Sequence, residues 1–167
     1  MAVGTFTAVP VPAPRSTGRD VAAVAMLLAP LAALPLGLVV GLTLWAGREA
    51  ELSPWAVAAL AVGLLALGSR ALHLDGLADT ADGLTASYDR ERALAVMRTG
   101  DVGPAGAAAL VLVLAVQAGA LVTLVGPAWG PLVAGVLVCL SRGAVLVSAA
   151  AGVPGARRDG LGAATSG

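Results

Sequence analysis

Long apolar blocks separated by short polar interruptions dominate the chain. Residues 21–46 are apolar throughout but punctuated by Pro30, Pro35, Gly37 and Gly41. A spanning helix needs roughly 20 apolar residues, so this block predicts one span, broken or kinked near the prolines. Residues 47–53 form a short polar loop, and Pro54 is placed to open the next helix, where its missing N–H costs nothing. A second span fits residues 54–72. Residues 73–103 are hydrophilic. A third span fits 104–125, the GPAWGP stretch at 126–131 predicts a tight turn, and a fourth span fits 132–151. The pattern predicts an all-α, polytopic membrane helix bundle of about four spans, with a cytoplasmic-side helix in the hydrophilic stretch. One integral membrane domain, 1–167, then comprises a Pro-rich lead (1–20), two spans (21–72), the polar segment (73–103), two more spans (104–151) and a glycine-rich tail (152–167).

Composition reinforces the membrane reading. Of 167 residues, 58% are hydrophobic and 12% charged, about half the charged fraction of a soluble domain. Mean hydropathy is +0.90. The formal net charge of zero gives no electrostatic reason to expect a nucleic-acid partner. Cys139 is the only cysteine, so no intrachain disulfide can form, and it reads as a small core residue. The polar, Pro-rich start does not resemble a cleaved leader.

Arginine placement orients the bundle, since cytoplasmic loops carry the excess of positive charge. Arg15 and Arg19 precede the first span, Arg70, Arg90, Arg92 and Arg98 lie in or near the polar segment, and Arg157 and Arg158 lie in the tail. Loop 47–53 has Arg48 alone, and the turn at 126–131 has none. With four spans, the lead, polar segment and tail share one side, which is expected to be cytoplasmic.

The chemistry is concentrated in the string His73-Leu74-Asp75-Gly76-Leu77-Ala78-Asp79-Thr80-Ala81-Asp82-Gly83-Leu84. On a helix, Asp79 lies about 40° from Asp75, and Asp82 about 20° away on the other side. Three like charges on one face repel unless something neutralises them. A hard divalent cation such as Mg²⁺, bridging carboxylates to substrate phosphates, would do so. The simpler alternative is the solvated side of a juxtamembrane helix. Gly76 and Gly83 would let a neighbouring helix or a bulky phosphate ester come close. His73 is either a ligand, a general base or a hydrogen-bonded structural histidine. Arg90 and Arg92 either begin a solvated helix, capped by Asp89, or reach substrate phosphates. Arg142 lies inside an apolar block, where an arginine faces the bundle interior or a polar cavity. Its expected partner is one of Asp75, Asp79 and Asp82, or a bound phosphate.

HLDGLADTADGL closely resembles the central motif of the cobalamin synthases, the membrane-bound adenosylcobinamide-GDP ribazoletransferases. TFTAVPVP, PLGLVVG, DRERALAVMRTGDVGPAGAAALVLVL, SRGAVLV and GARRDGLGA resemble other motifs of that family, in order along the chain. Two departures stand out. Ala8 lies near the place of an arginine expected in the N-terminal motif, and the chain stops at Gly167, short of the family's usual length, as if truncated before the final spans.

The resemblance implies a Mg²⁺-dependent transfer in the nucleotide-loop step of cobalamin biosynthesis. The ribose hydroxyl of α-ribazole, or of its 5′-phosphate, would attack the phosphate on the cobinamide side of adenosylcobinamide-GDP and release GMP. Asp75, Asp79 and Asp82 would hold the metal, one of them or His73 would take the proton, and Gly76, Gly83, Arg90, Arg92 and Arg142 would meet the small-molecule substrates. The enzyme would be a multi-pass protein of the cell inner membrane with its active site facing the cytoplasm; its oligomeric state is left open. Two other readings are a CDP-alcohol-type membrane phosphotransferase and a cation or proton transporter using the aspartates. A transporter would hold them near the bilayer midplane, a transferase at the membrane surface.

Overall fold

The computed structural model describes residues 2–12 and 18–148, apart from the side chains of Arg19, Asp20 and Ser148. Arg15, the tail 152–167 and its GARRDGLGA motif lie outside the described residues. Within them the chain is all-α, as the apolar periodicity predicts.

The first apolar block forms three helices rather than one kinked span. These are α2 (Arg19–Leu27), α3 (Ala29–Ala32) and α4 (Leu34–Glu49), preceded by a short α1 (Ala2–Phe6). The two breaks, at Leu28 and Ala33, come just before Pro30 and Pro35, each of which sits in the first turn of the next helix. A proline ring clashes with the carbonyl four residues back, so a new helix starts instead. At 16 residues, α4 is about 24 Å long, short of a typical hydrocarbon core.

Pro54 opens α5 (Pro54–Gly68) as expected. The second block then departs from a straight span. Arg70 and Ala71 both adopt left-handed backbone (φ 55° and 54°), and α6 (Leu72–Ala86) turns 91° away from α5. Next come α7 (Arg90–Val96), α8 (Pro104–Val125), α9 (Gly130–Ser141) and α10 (Gly143–Ser148). Among the described residues, two segments are long and apolar enough to cross a membrane, Pro104–Val125 and Gly130–Val147, with a third if the bent α5–α6 pair counts as one. An 18-residue window of α8 is only 6% buried. So much bare apolar surface suits lipid as the solvent.

The core joins Leu36, Val40 and Leu44 of α4 to Val57 and Ala61 of α5, Val125 of α8, and Ala134 and Val138 of α9. Antiparallel α4 and α9 touch backbone to backbone. A Cβ on Gly37 would lie 2.5 Å from the Gly135 carbonyl oxygen and 3.0 Å from Cys139 Sγ, and one on Gly41 would lie 2.9 Å from the Pro131 carbonyl. Small residues at such contacts are how membrane helices associate, because hydrophobicity itself gives no drive in lipid.

The α4–α5 and α8–α9 turns share one end of the bundle, where Arg48 donates to the Pro127 carbonyl at 3.4 Å. All three tryptophans are also there: Trp45 on α4, Trp55 at the start of α5, and Trp129 before α9, each at least half exposed. Exposed tryptophans collected at one level mark a membrane–water interface. The α6–α7 unit lies at the opposite end, against the start of α8.

Candidate active site

Helix α6 is where the sequence and the fold meet. It starts from the left-handed Ala71, which serves as its N-cap. The strained corner is held by the N-terminal TFTAVP segment. Thr7 is fully buried; its hydroxyl donates to the Val3 carbonyl (2.7 Å) and accepts from the Val9 amide (3.2 Å). The Ala8 amide donates to the Gly68 carbonyl at 2.6 Å, and Arg70 donates to the Gly4 carbonyl. The first family-like motif is thus the brace of the α5–α6 turn. Nothing in its composition signalled that pairing.

The three aspartates differ in their surroundings. Asp82 is buried, and its two carboxylate oxygens accept from the Gly103 and Gly106 amides, each at 2.8 Å. Gly103 is the N-cap of α8 and Pro104 lies in its first turn, so Asp82 neutralises the positive end of α8 from a neighbouring helix. The fit leaves no room for larger residues. A Cβ on Gly103 would lie 2.5 Å from Asp82 Oδ1, and one on Gly106 would collide with Asp82 Oδ2 and lie 2.9 Å from the Ala78 carbonyl. Gly103 and Gly106 are site-shaping residues that the sequence reading did not single out; a glycine pair flanking a helix-opening proline was the signal.

Asp75 is exposed and Asp79 partly exposed. They remain open, one turn apart on the same face. Among the described residues, no three His, Cys, Asp or Glu side chains are grouped to hold a metal ion, and the third carboxylate, Asp82, is engaged by the amides of α8. Asp75 and Asp79 fit a cation that takes one or two carboxylates and keeps its remaining ligands as water or substrate oxygen, as Mg²⁺ does.

The two glycines also differ. Gly76 has nothing within 4 Å of a would-be Cβ, whereas one on Gly83 would lie 2.5 Å from Met97 Cε and 3.0 Å from the Ala93 carbonyl. Gly83 admits α7; Gly76 faces open space. Asp89 caps α7, accepting from the Arg92 amide at 2.8 Å, as predicted. Arg90 and Arg92 are exposed in its first turn. A cleft of about 450 Å³ opens beside Asp82, lined among others by Thr85, Thr99 and Asp101. Asp101 was missed in the sequence because it lies 17 residues beyond the motif.

His73 is not part of the aspartate face. From His73, the helix turns Asp75 about 160°, Asp79 about 120° and Asp82 about 180° around the axis. Instead its ring meets Phe6 edge-on, with centroids 6.3 Å apart. Partial burial, and secondarily the positive charge of Arg142, hold its imidazole below the ordinary histidine pKa. Arg142 itself is buried at the α9–α10 junction, and its Nε has no hydrogen-bond partner. No ion pair joins it to Asp75, Asp79 or Asp82. The expected pairing with these aspartates is not formed among the described residues.

Comparison with known proteins fits this architecture. The family model for cobalamin-5-phosphate synthase matches residues 1–167. The adenosylcobinamide-GDP ribazoletransferase of Nocardioides sp. (strain ATCC BAA-499 / JS614) is 62% identical over 162 residues, covering 97% of this chain and 69% of the relative. The protein of the same name from Frankia casuarinae is 40% identical over 170 residues, covering 97% and 61%. The one from Brevibacillus brevis is 42% identical over 98 residues, covering 57% and 40%. The chain thus spans about two thirds or less of the length of these relatives. No solved structure matches it. The chain belongs to the cobalamin-5-phosphate synthase family.

Proposed function

We propose that this member of the cobalamin-5-phosphate synthase family carries the phosphotransfer centre of an adenosylcobinamide-GDP ribazoletransferase, with Asp75 and Asp79 as its working carboxylates. The observation that carries the reading is the open Asp75–Asp79 face within the HLDGLADTADGL string, in a chain 62% identical to a protein of that name. In the transfer, a ribose hydroxyl oxygen of α-ribazole or its 5′-phosphate forms a new bond to the cobinamide-side phosphorus. The bond from that phosphorus to the oxygen of GMP breaks, GMP leaves with the electron pair, and the hydroxyl proton passes to a base.

Mg²⁺, held by Asp75 and Asp79, would offset the charge of the diphosphate and of the leaving GMP. The chain's own residues do the rest. Asp82 fixes the helix by tying it to α8, so the face carrying Asp75 and Asp79 is rigidly aimed. Gly76 leaves room beside them. His73 lies on the other side of the helix and is not placed to take the hydroxyl proton.

The 91° turn between α5 and α6 and the tryptophan level at the far end favour an aspartate face at the membrane surface, and the arginine bias makes that surface cytoplasmic. Water-soluble nucleotides reach such a face without crossing lipid, which favours transfer over ion transport. The test is GMP release, followed by chromatography, from membranes containing the chain, adenosylcobinamide-GDP, α-ribazole and Mg²⁺. GMP and a matching cobalamin product are expected; ion flux without product would mark the aspartates as a transport path instead.

A further inference from the structure

The cleft beside Asp82 has a one-sided chemistry that the transfer steps leave unused. Its volume, about 450 Å³, is that of a small-molecule site. Val96, Val102 and Pro104 give it apolar walls, and its polar side chains are Asp82, Thr85, Thr99 and Asp101. Both threonines have spent their hydrogens. Thr85 donates to the Ala81 carbonyl at 2.8 Å and Thr99 to the Val96 carbonyl at 2.9 Å, so each hydroxyl has only lone pairs left to offer a ligand. Asp82 is occupied by the α8 amides. The Asp101 carboxylate is exposed, and among the described residues no hydrogen bond or ion pair engages it. Among the same residues, no cationic side chain lines the cleft.

The chain around the cleft sets its position. Gly100, at φ 73°, takes a left-handed conformation that few other residues adopt, and it turns the chain between Thr99 and Asp101 on the way from α7 to α8. On α6 the cleft begins at Asp82 and reaches Thr85, about 4.5–9 Å along the axis from Asp79. It therefore adjoins the Asp75–Asp79 face, with room for a sugar between the two. The carboxylates of Asp82 and Asp101 repel an anion, so a diphosphate belongs on the metal-holding face. The cleft itself suits a neutral group with a flat apolar body and N–H donors on its edge.

We infer that this cleft holds the guanine base of the substrate's GDP moiety, with the Asp101 carboxylate accepting from guanine N1–H and from its exocyclic amino group. The choice of nucleotide rests on the ribazoletransferase reading, and the choice of its base on the cleft. Two carboxylate oxygens match two adjacent N–H donors, as they match the fork of an arginine. The other base in the reaction, the dimethylbenzimidazole of α-ribazole, carries no N–H and gains nothing from such acceptors. Adenine has a lone pair where guanine has N1–H, so Asp101 rejects it. Asp101 is thus a specificity-determining residue and takes no part in the bond changes.

The test is equilibrium dialysis of the full chain, in dodecyl maltoside micelles with Mg²⁺, against radiolabelled GMP, AMP or XMP. Xanthine, the base of XMP, has a carbonyl where guanine has its amino group. Native protein should bind GMP at least tenfold more tightly than either of the others. In Asp101→Asn the side-chain amide donates where the carboxylate accepted. GMP affinity should then fall at least tenfold, and XMP should become the tighter ligand. Asp101→Ala should lose the preference for GMP without gaining one for XMP. Tryptophan fluorescence checks that both variants are folded. Native protein that binds all three nucleotides alike, or none of them, overturns the proposal, and so does an Asp101→Asn variant that keeps the native preference. Base-selective binding in a chain that releases no GMP from adenosylcobinamide-GDP would uphold the cleft and refute the transfer reading. GMP release without base-selective binding would do the reverse.

Discussion

Replacing Asp82 separates a structural carboxylate from a catalytic one. Its oxygens accept from two amides at 2.8 Å, the one at Gly106 buried and the one at Gly103 partly so. In Asp82→Ala the Gly106 amide loses its partner where water cannot easily follow, a cost of about 1–3 kcal/mol. The Gly103 amide can be resolvated, so its loss adds less, roughly 0.5–1 kcal/mol. Losing the negative charge at the α8 N-terminus adds about 0.5–1 kcal/mol more. The total is about 2–5 kcal/mol, large for a single residue. Asp82→Asn keeps one acceptor oxygen and should lose roughly half as much. The assay is unfolding in mixed micelles with increasing dodecyl sulfate, followed by fluorescence of Trp45, Trp55 and Trp129. Native protein should unfold last, Asp82→Asn earlier and Asp82→Ala first. An Asp82→Ala variant that unfolds with the native chain, within about 0.5 kcal/mol, would refute the capping role and return Asp82 to the open carboxylate face.

Three further outcomes follow from the same geometry. Gly83→Ala should destabilise the chain by about 1–3 kcal/mol, because the new methyl group meets Met97 and the Ala93 carbonyl; the same unfolding assay reads it. Gly76→Ala meets open space and should leave stability unchanged or raise it by up to about 1 kcal/mol, while reducing turnover if that space admits substrate. Mn²⁺, standing in for Mg²⁺ and followed by electron paramagnetic resonance, should bind the native chain and folded Asp82→Asn alike, and bind at least tenfold more weakly to Asp75→Asn and Asp79→Asn. Equal binding in all four would exclude the Asp75–Asp79 pair as the metal site.

Much of this was legible in the sequence because it depends on short-range rules. The prolines at 30, 35, 54 and 104 each open a helix, and the Asp89 cap follows from local chemistry. The common face of the three aspartates follows from helical periodicity alone. What periodicity does not carry is which neighbour a face meets. Asp82 looked equivalent to Asp75 and Asp79 because its partners, Gly103 and Gly106, are more than twenty residues away. His73 looked like a fourth member of the site by proximity along the chain, although two residues along a helix is nearly half a turn. No glycine or proline at Arg70 or Ala71 marks the bend that follows α5, and their left-handed backbone is held by the distant residues 4–8. The tryptophan level needed the turns to be brought together before three scattered residues became one interface.

The most direct test of the central claim is GMP release per folded molecule in Asp75→Asn and Asp82→Asn, against the native chain, with Mg²⁺ and both substrates present. The account predicts that Asp75→Asn folds normally and releases at least a hundredfold less GMP, whereas the folded fraction of Asp82→Asn retains activity within about tenfold of native, roughly 1.4 kcal/mol in barrier. Activity that survives in Asp75→Asn and vanishes from well-folded Asp82→Asn would contradict it.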